Sequence, residues 1–492
     1  MRGAWAIGAL AVGGLAGACV DFQPFQCSAD EQCHGVVQGW CEASGFCSYP
    51  DRDCPSGRRY SDLAGALGRQ CVEGDGGSST GLEPGTSSEG SDTGEPTGES
   101  STGPGIPVCG NGVIEGDEEC DELDTVDGDG CNTDCVAGGS VRWSAVVAEK
   151  AGGDDRLFGS VRLASGDVVA VGFATGTSSR NVLLSRWTVD GEEVQRAAYD
   201  VDGSADEAEA VTQDGVGRLW VCGRATLDGV ARPWVWRWDA DLTDNPAVDV
   251  ELPMEVTGYC HDIVHIEGSS FAAVGGSGTQ AWEYAFSSSD VAGGSVAIPV
   301  PPMGESGESR LKAAVRAPGG ELLVAGQDEE VGVAFEPVAL GDLGPSLVAL
   351  PATQVQSMAV TDDMILLAGW HAEPASLDDL WVSAHDRADG TERWHWTADR
   401  RPLVDEVEDV ALDPAGYVYA VGHVSNDDPD RWVGKLDPEG NLVWEREDYE
   451  GALLGPDRMR SVVVLPDGDV IVVAEITSEA GDLDGWIARI AP

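Results

Sequence analysis

Positive charge is what this sequence has least of: 29 Lys and Arg stand against 86 Asp and Glu, a formal net charge of -57 over 492 residues. The deficit is shared, with 5 basic against 24 acidic residues in 1–139 and 24 against 62 in the remainder, or -19 and -38. Nucleic acid and anionic bilayer surfaces are bound through basic clusters that release counterions, so neither is expected as a direct partner. Cations and basic proteins suit the chain better. Long apolar runs are missing too, since the stretch Ala4–Ala18 is too short to span a bilayer comfortably. No Gly-x-Ser-x-Gly elbow or phosphate loop stands at the end of a strand, which removes the commonest signatures of serine hydrolases and nucleotide sites.

What the chain does have is a period. Short apolar strands end at Gly172, Gly223, Gly275, Gly326, Gly369, Gly422 and Ala474, at intervals of 51, 52, 51, 43, 53 and 52 residues. Asp409–Glu447 shows one unit plainly: a strand, an Asp-Pro turn, a strand ending at Gly422, a polar loop, a strand from Trp432, an Asp-Pro-Glu-Gly turn and a strand around Trp444. Four strands repeated at this period predict a β-propeller blade. The expected fold is all-β, a seven-bladed propeller over residues 140–492. Its last unit stops after three strands, and the strand Ser140–Val147, carrying Trp143, is expected to close the ring by completing blade seven.

Before the propeller the composition changes three times. Residues 1–18 read as an export signal, with Arg2 followed by the apolar run and ending in Leu15-Ala-Gly-Ala before Cys19. This resembles the bacterial lipoprotein signal, which implies a lipid on Cys19 and a chain held in the cell envelope, outer membrane or cell surface. The third residue before the cysteine is Ala16 where Leu is usual, so plain secretion stays open as the alternative. Thirteen cysteines are odd in number; setting Cys19 aside leaves twelve for disulfides. Cys27, Cys33, Cys41, Cys47, Cys54 and Cys71 form a module over residues 19–72 too poor in apolar sequence to fold without staples, and their spacing is too wide for a zinc site. Residues 73–107 are a Ser, Thr, Gly, Pro and Glu linker, read as a flexible spacer. A second module, 108–136, holds Cys109, Cys120, Cys131 and Cys135. The last pair, Cys222 and Cys260, is expected to staple neighbouring blades.

In the second module, Cys109-Gly-Asn-Gly112, Glu119-Cys-Asp121 and Gly128-Asp-Gly-Cys131 resemble the short cysteine-rich repeat of myxobacterial surface proteins, and Cys47–Tyr60 resembles a module of lipoproteins from such bacteria. Both resemblances imply an exported, disulfide-stabilised surface or periplasmic protein, and neither implies an activity. Asp124, Asp127 and Asp129 sit in a Gly-rich turn that offers oxygen ligands to Ca²⁺, although no Glu closes an EF-hand register, and a solvated acidic turn is the competing reading. No other cofactor is expected.

The innermost strands of a propeller line its channel. Counting thirteen residues back from each anchor gives Gly159, Ala210, Asp262, Ala313, Gln356, Asp409 and Ser461, with Phe158, Glu209, His261, Lys312, Glu408 and Arg460 beside them. Glu209, Asp262, Glu408 and Asp409 are therefore the channel-lining candidates. His261 and His265 lie about 13 Å apart along a strand and cannot share a metal, and His371 and His423 offer no converging ligand set. Asp437–Trp444 and Asp389–Trp394 resemble the turn signature of quinone-type propeller repeats, whose Trp packs between blades. Adjacent cysteines are missing and the count is seven, so a quinone is not expected. The reading is an envelope-anchored propeller that binds a protein or glycan without catalysis. The alternatives are an extracytoplasmic hydrolase, lyase or quinoprotein-like enzyme working through the channel carboxylates, and an envelope assembly scaffold.

Overall fold

Each apolar run of the period is the second strand of a four-stranded antiparallel sheet, bonded on one side to the strand before it and on the other to the strand after it. The computed structural model describes residues 40–42, 44, 46–50, 58–60, 72, 109, 114, 118–121 and 130–492, apart from 150–151, 178, 201–204, 228, 244–245, 247, 251–256, 278–280, 289–297, 300–308, 329–330, 337–345, 373–377, 402, 426–427 and 448–454. The chain divides into two units, Met1–Ser101 and Thr102–Pro492. In the first, Trp40–Cys41, Cys47–Pro50 and Arg58–Tyr60 form a small antiparallel sheet, and Cys41 and Cys47 are each in a disulfide. Cys19, Cys27, Cys33, Cys54 and Cys71, the signal, the linker, and Asp124, Asp127 and Asp129 lie outside the described residues.

The second unit is a seven-bladed propeller. Its innermost strands are Arg156–Arg162, Asp206–Gln213, Tyr259–Glu267, Ser309–Arg316, Thr353–Val360, Glu406–Leu412 and Arg458–Val464, blades one to seven in order. Each lies against the next, and the seventh against the first. Blade seven is completed by Val141–Val147, paired antiparallel with Leu483–Ile490, as the sequence predicts. The two strands that close this blade are joined as a hairpin would be: Gly139 N donates to Ala491 O at 3.1 Å and Ala491 N to Ser140 O at 2.9 Å. Second strands are covered on both faces, which is why they read as unbroken apolar runs; Val168–Val171 and Val470–Val473 are at most 1% exposed.

The anchor glycines have a steric cause. In every blade the pairing of the first strand with the second slips by one residue, at Phe158, Glu209, His261, Lys312, Gln356, Glu408 and Arg460 in turn. This is a β-bulge, which re-aims one side chain. It brings the first strand so close to the second that a Cβ on Gly172 would stand 1.9 Å from the carbonyl oxygen of Arg156, and one on Gly422 1.9 Å from that of Glu406. Gly223, Gly275, Gly326 and Gly369 meet the same carbonyl at 1.9 to 2.1 Å, and Ala474 takes the place in blade seven.

Tryptophans join the blades, as their turn signature implies. Trp394 Nε1 in blade five donates to Pro438 O of blade six at 3.0 Å, and Trp143 Nε1 in blade seven donates to Val189 O of blade one at 2.8 Å. Each ring lies on a turn glycine of the next blade, Gly440 at φ +85 and Gly191 at φ +88, where a Cβ would touch the indole. Three disulfides are described in this unit: Cys109–Cys135, Cys120–Cys131 and Cys222–Cys260. The first two nest within the cysteine-rich segment, which is tied to the closing strand by Ser140 Oγ donating to Glu119 Oε2 at 2.5 Å and by an Arg142–Asp134 ion pair at 2.6 Å. The third joins the second strand of blade two to the first strand of blade three, the staple expected from its position.

Candidate functional site

The seven bulged residues face one another around the axis. Phe158, Glu209, His261, Lys312, Gln356, Glu408 and Arg460 together line two adjoining compartments of the channel, about 360 Å³ and 210 Å³ in volume. The outer compartment is widened by residues two positions earlier and by their cross-strand partners, among them Arg156, Phe173, Glu207, Arg224 and Tyr259. In an acidic protein this mouth gathers five cations, Arg156, Arg180, Arg224, Lys312 and Arg460, against Glu207, Glu209 and Glu408.

One side of the channel is self-paired. Arg460 donates to Glu408 Oε1 and to Glu475 Oε1, each at 2.7 Å, and Arg156 reaches Glu475 Oε2 at 3.1 Å. Gln356 Nε2 donates to Glu406 Oε1. Arg180 and Arg224 both bind Glu207, and Arg224 also donates to the Tyr259 hydroxyl at 2.8 Å. The other side is open: among the described residues neither Glu209 nor Lys312 makes a hydrogen bond or ion pair, and His261 only stacks on Tyr259, centroids 5.6 Å apart. Burial, reinforced by Glu207, pushes Glu209 up to about 7 against the pull of Lys312 and Arg224. Burial lowers Lys312, and burial with the nearby Lys312 and arginine charges holds His261 well below its usual range. These three residues of blades two to four keep their bonding capacity for something else.

The four channel candidates all line the inner compartment, but they do different work. Asp262 accepts from Ile263 N at 2.7 Å and from Ala314 N of blade four at 2.8 Å. Asp409 accepts from Ser357 Oγ at 2.6 Å in blade five, Val410 N at 2.8 Å and Val462 N at 2.9 Å in blade seven. Both aspartates pin neighbouring innermost strands together. Burial raises Asp262 to about 7 and raises Asp409 as well. Glu209 and Glu408, on the bulges, face the cavity instead.

Two sequence expectations need correction. Counting back thirteen residues places Gln356 in the small-residue column, yet its register makes it the bulged residue of blade five and puts Ser357 in that column, because this blade has one residue fewer between bulge and anchor. His423 does converge with carboxylates: one of its ring nitrogens and an oxygen from each of Glu406 and Glu408 all lie within 4.8 Å of one another. Histidine spacing alone hides this, since the ligands come from two paired strands, with Glu406 opposite His423. Elsewhere, Ser383 Oγ bonds His385 Nε2 at 2.7 Å, but both are at most 1% exposed and away from the channel, so the pair offers no nucleophile to a substrate.

No family model matches the sequence, and no curated protein matches it. Among solved structures, Sqt1 of Chaetomium thermophilum bound to the N-terminus of ribosomal protein L10 is similar at 14% identity and a TM-score of 0.46, over 71% of this chain and 100% of that one. Virginiamycin B lyase from Staphylococcus aureus is similar at 9% identity and a TM-score of 0.43, over 70% and 98%. A protein of unknown function from Dyadobacter fermentans is similar at 11% and 0.42, over 72% and 100%. At these identities no ligand or activity passes to this chain.

Proposed function

We propose that the chain is an exported lipoprotein, anchored to the cell envelope through Cys19, whose propeller binds a protein or glycan ligand at the axial mouth without transforming it. The observation that carries the binding reading is the division of the channel: aspartates are spent on backbone N–H groups, one wall is closed by its own ion pairs, and Glu209, His261 and Lys312 alone among the ionisable bulge residues stay unpaired. A rigid ring with an unsatisfied polar sector suits recognition. Disulfides support export, because they persist in oxidising compartments. The test is capture of envelope proteins and envelope glycans by the purified full chain, compared with Lys312→Gln and Glu209→Gln variants. Loss of a captured ligand in both variants is the expected result; capture that ignores both overturns the axial site.

An acid–base enzyme is the second reading, favoured by Glu209 at about 7 beside a lysine lowered by burial in one cavity. Release of a cleaved or eliminated product from the captured ligand, abolished by Glu209→Gln, would establish it in place of simple binding.

A further inference from the structure

Three blades carry the same arrangement at the channel mouth with different charges. Residues two apart on the first strand share a face with the partner of the earlier one on the second strand. In blade two this triad is Glu207, Glu209 and Arg224; in blade seven it is Arg458, Arg460 and Glu475; in blade six it is Glu406, Glu408 and His423. Blade two supplies its own cation, the Arg224 guanidinium at 2.5 Å from Glu207. Blade seven supplies its own anion, Glu475. Blade six has two carboxylates and an imidazole at these three places, with neither a guanidinium nor an ammonium among them.

We propose that Glu406, Glu408 and His423 bind one divalent transition-metal ion of the Zn²⁺ class. His423 is 2% exposed, and its buried Nδ1 has no hydrogen-bond partner while pointing toward Glu408 Oε1 at 3.7 Å. Leaving such an atom empty is costly unless something fills it. An imidazole with two carboxylates is a borderline N/O donor set, which suits Zn²⁺, Mn²⁺ or Fe²⁺ better than Ca²⁺ or Mg²⁺. Metal–ligand bonds of about 2.0–2.2 Å set donor atoms about 3.5 Å apart; the three atoms here, all within 4.8 Å of one another, need only a small side-chain closure. The ion would stand where blade two holds its guanidinium against Glu207. Arg460 already shares Glu408, and Lys312 lies within range of both carboxylates, so affinity is expected to be moderate. The site does not depend on envelope anchoring or on the axial ligand.

The test is calorimetric titration of the full, disulfide-intact chain with Zn²⁺ in excess Ca²⁺ and high salt, which saturate the acidic surface, followed by the visible spectrum with Co²⁺. One equivalent is expected to bind, with a Co²⁺ spectrum showing nitrogen ligation. Glu406→Gln and His423→Gln should each lower affinity by roughly tenfold or more, and Glu207→Gln in blade two should leave it unchanged. Since His423 is buried, Glu406→Gln serves as the test if His423→Gln fails to fold. Binding displaced by Ca²⁺, or unaltered by Glu406→Gln, would overturn the proposal.

Discussion

Breaking the Cys222–Cys260 bridge should cost the propeller more than its two sulfur atoms suggest. The bridge closes a loop with a sequence separation of 38, and the chain-entropy relation gives about 3.9 kcal/mol of denatured-state restriction for a loop of that size. Both cysteines are fully buried, in a cluster with Trp220, Phe271 and Trp282, so an alanine pair removes little volume and the entropic part dominates. Because a bridge is lost whole, Cys222→Ala, Cys260→Ala and the double variant should lose similar stability, the singles slightly more for the stranded thiol. At about 2 °C per kcal/mol for a large domain, the expected fall in Tm is about 8 °C. Thermal denaturation of the four proteins, read by tryptophan fluorescence and repeated under reducing conditions, measures it. Equal midpoints for wild type and variants, or single variants far apart from the double, would refute the argument that the bridge acts through the unfolded chain.

Three further outcomes follow from the geometry. Gly422→Ala places a methyl 1.9 Å from the Glu406 carbonyl oxygen; since blade seven holds an alanine, Ala474, at this place, a loss of about 1–3 kcal/mol, the range of overpacking costs, is expected from thermal denaturation, against under about 0.5 kcal/mol for an exposed surface change such as Val216→Ala. Glu209, Glu406 and Asp262 are each raised to about 7, so the folded state binds more protons than the unfolded state above their ordinary values of 4.5, 4.5 and 3.8. Stability should therefore be highest near the bottom of that window and fall as pH rises to about 7, then level off; Glu209→Gln should flatten the slope, and an unchanged slope would contradict the burial argument. Asp409→Asn replaces one acceptor oxygen with a donor facing either Val462 N or Ser357 Oγ, and should cost about 1–3 kcal/mol in chemical denaturation; no loss would mean that these aspartates do not pin the innermost strands.

Much of the architecture was legible because the anchor glycine reports a contact. A backbone carbonyl stands where its Cβ would be, so Gly172 through Gly422 mark every blade but the last, and Trp143 marks the closing strand through its seat on the next blade's turn. The Cys222–Cys260 pairing followed from the same alignment. What stayed hidden depends on pairing rather than order. A bulge inserts one residue into a register, and a fixed count from the anchor cannot see that blade five has one residue fewer, so Gln356 belongs to the bulge and Ser357 to the column. The partition of the four acids into strand pins and open groups depends on which backbone N–H each meets in the next blade. Glu406 and His423 lie seventeen positions apart in sequence but are direct cross-strand partners, a proximity that histidine spacing along the chain does not express.

The bulge also explains how one scaffold carries six residue types at the seven positions around its axis. Its backbone geometry is enforced from the neighbouring strand, by the close approach of the first strand to an anchor that is glycine in six blades, and not by the side chain it displays. Phenylalanine, glutamate, histidine, lysine, glutamine and arginine all occupy the position without altering the sheet. Charge can then be distributed around the ring without altering the sheet, as it is here: blades six and seven neutralise each other through Arg460 and Glu408, while blades two to four present Glu209, His261 and Lys312 unpaired. Such an axis can be altered one residue at a time, because exchanging a bulge residue changes the charge presented at the mouth and leaves in place the aspartate pins, the anchors and the Trp seats that hold the blades together.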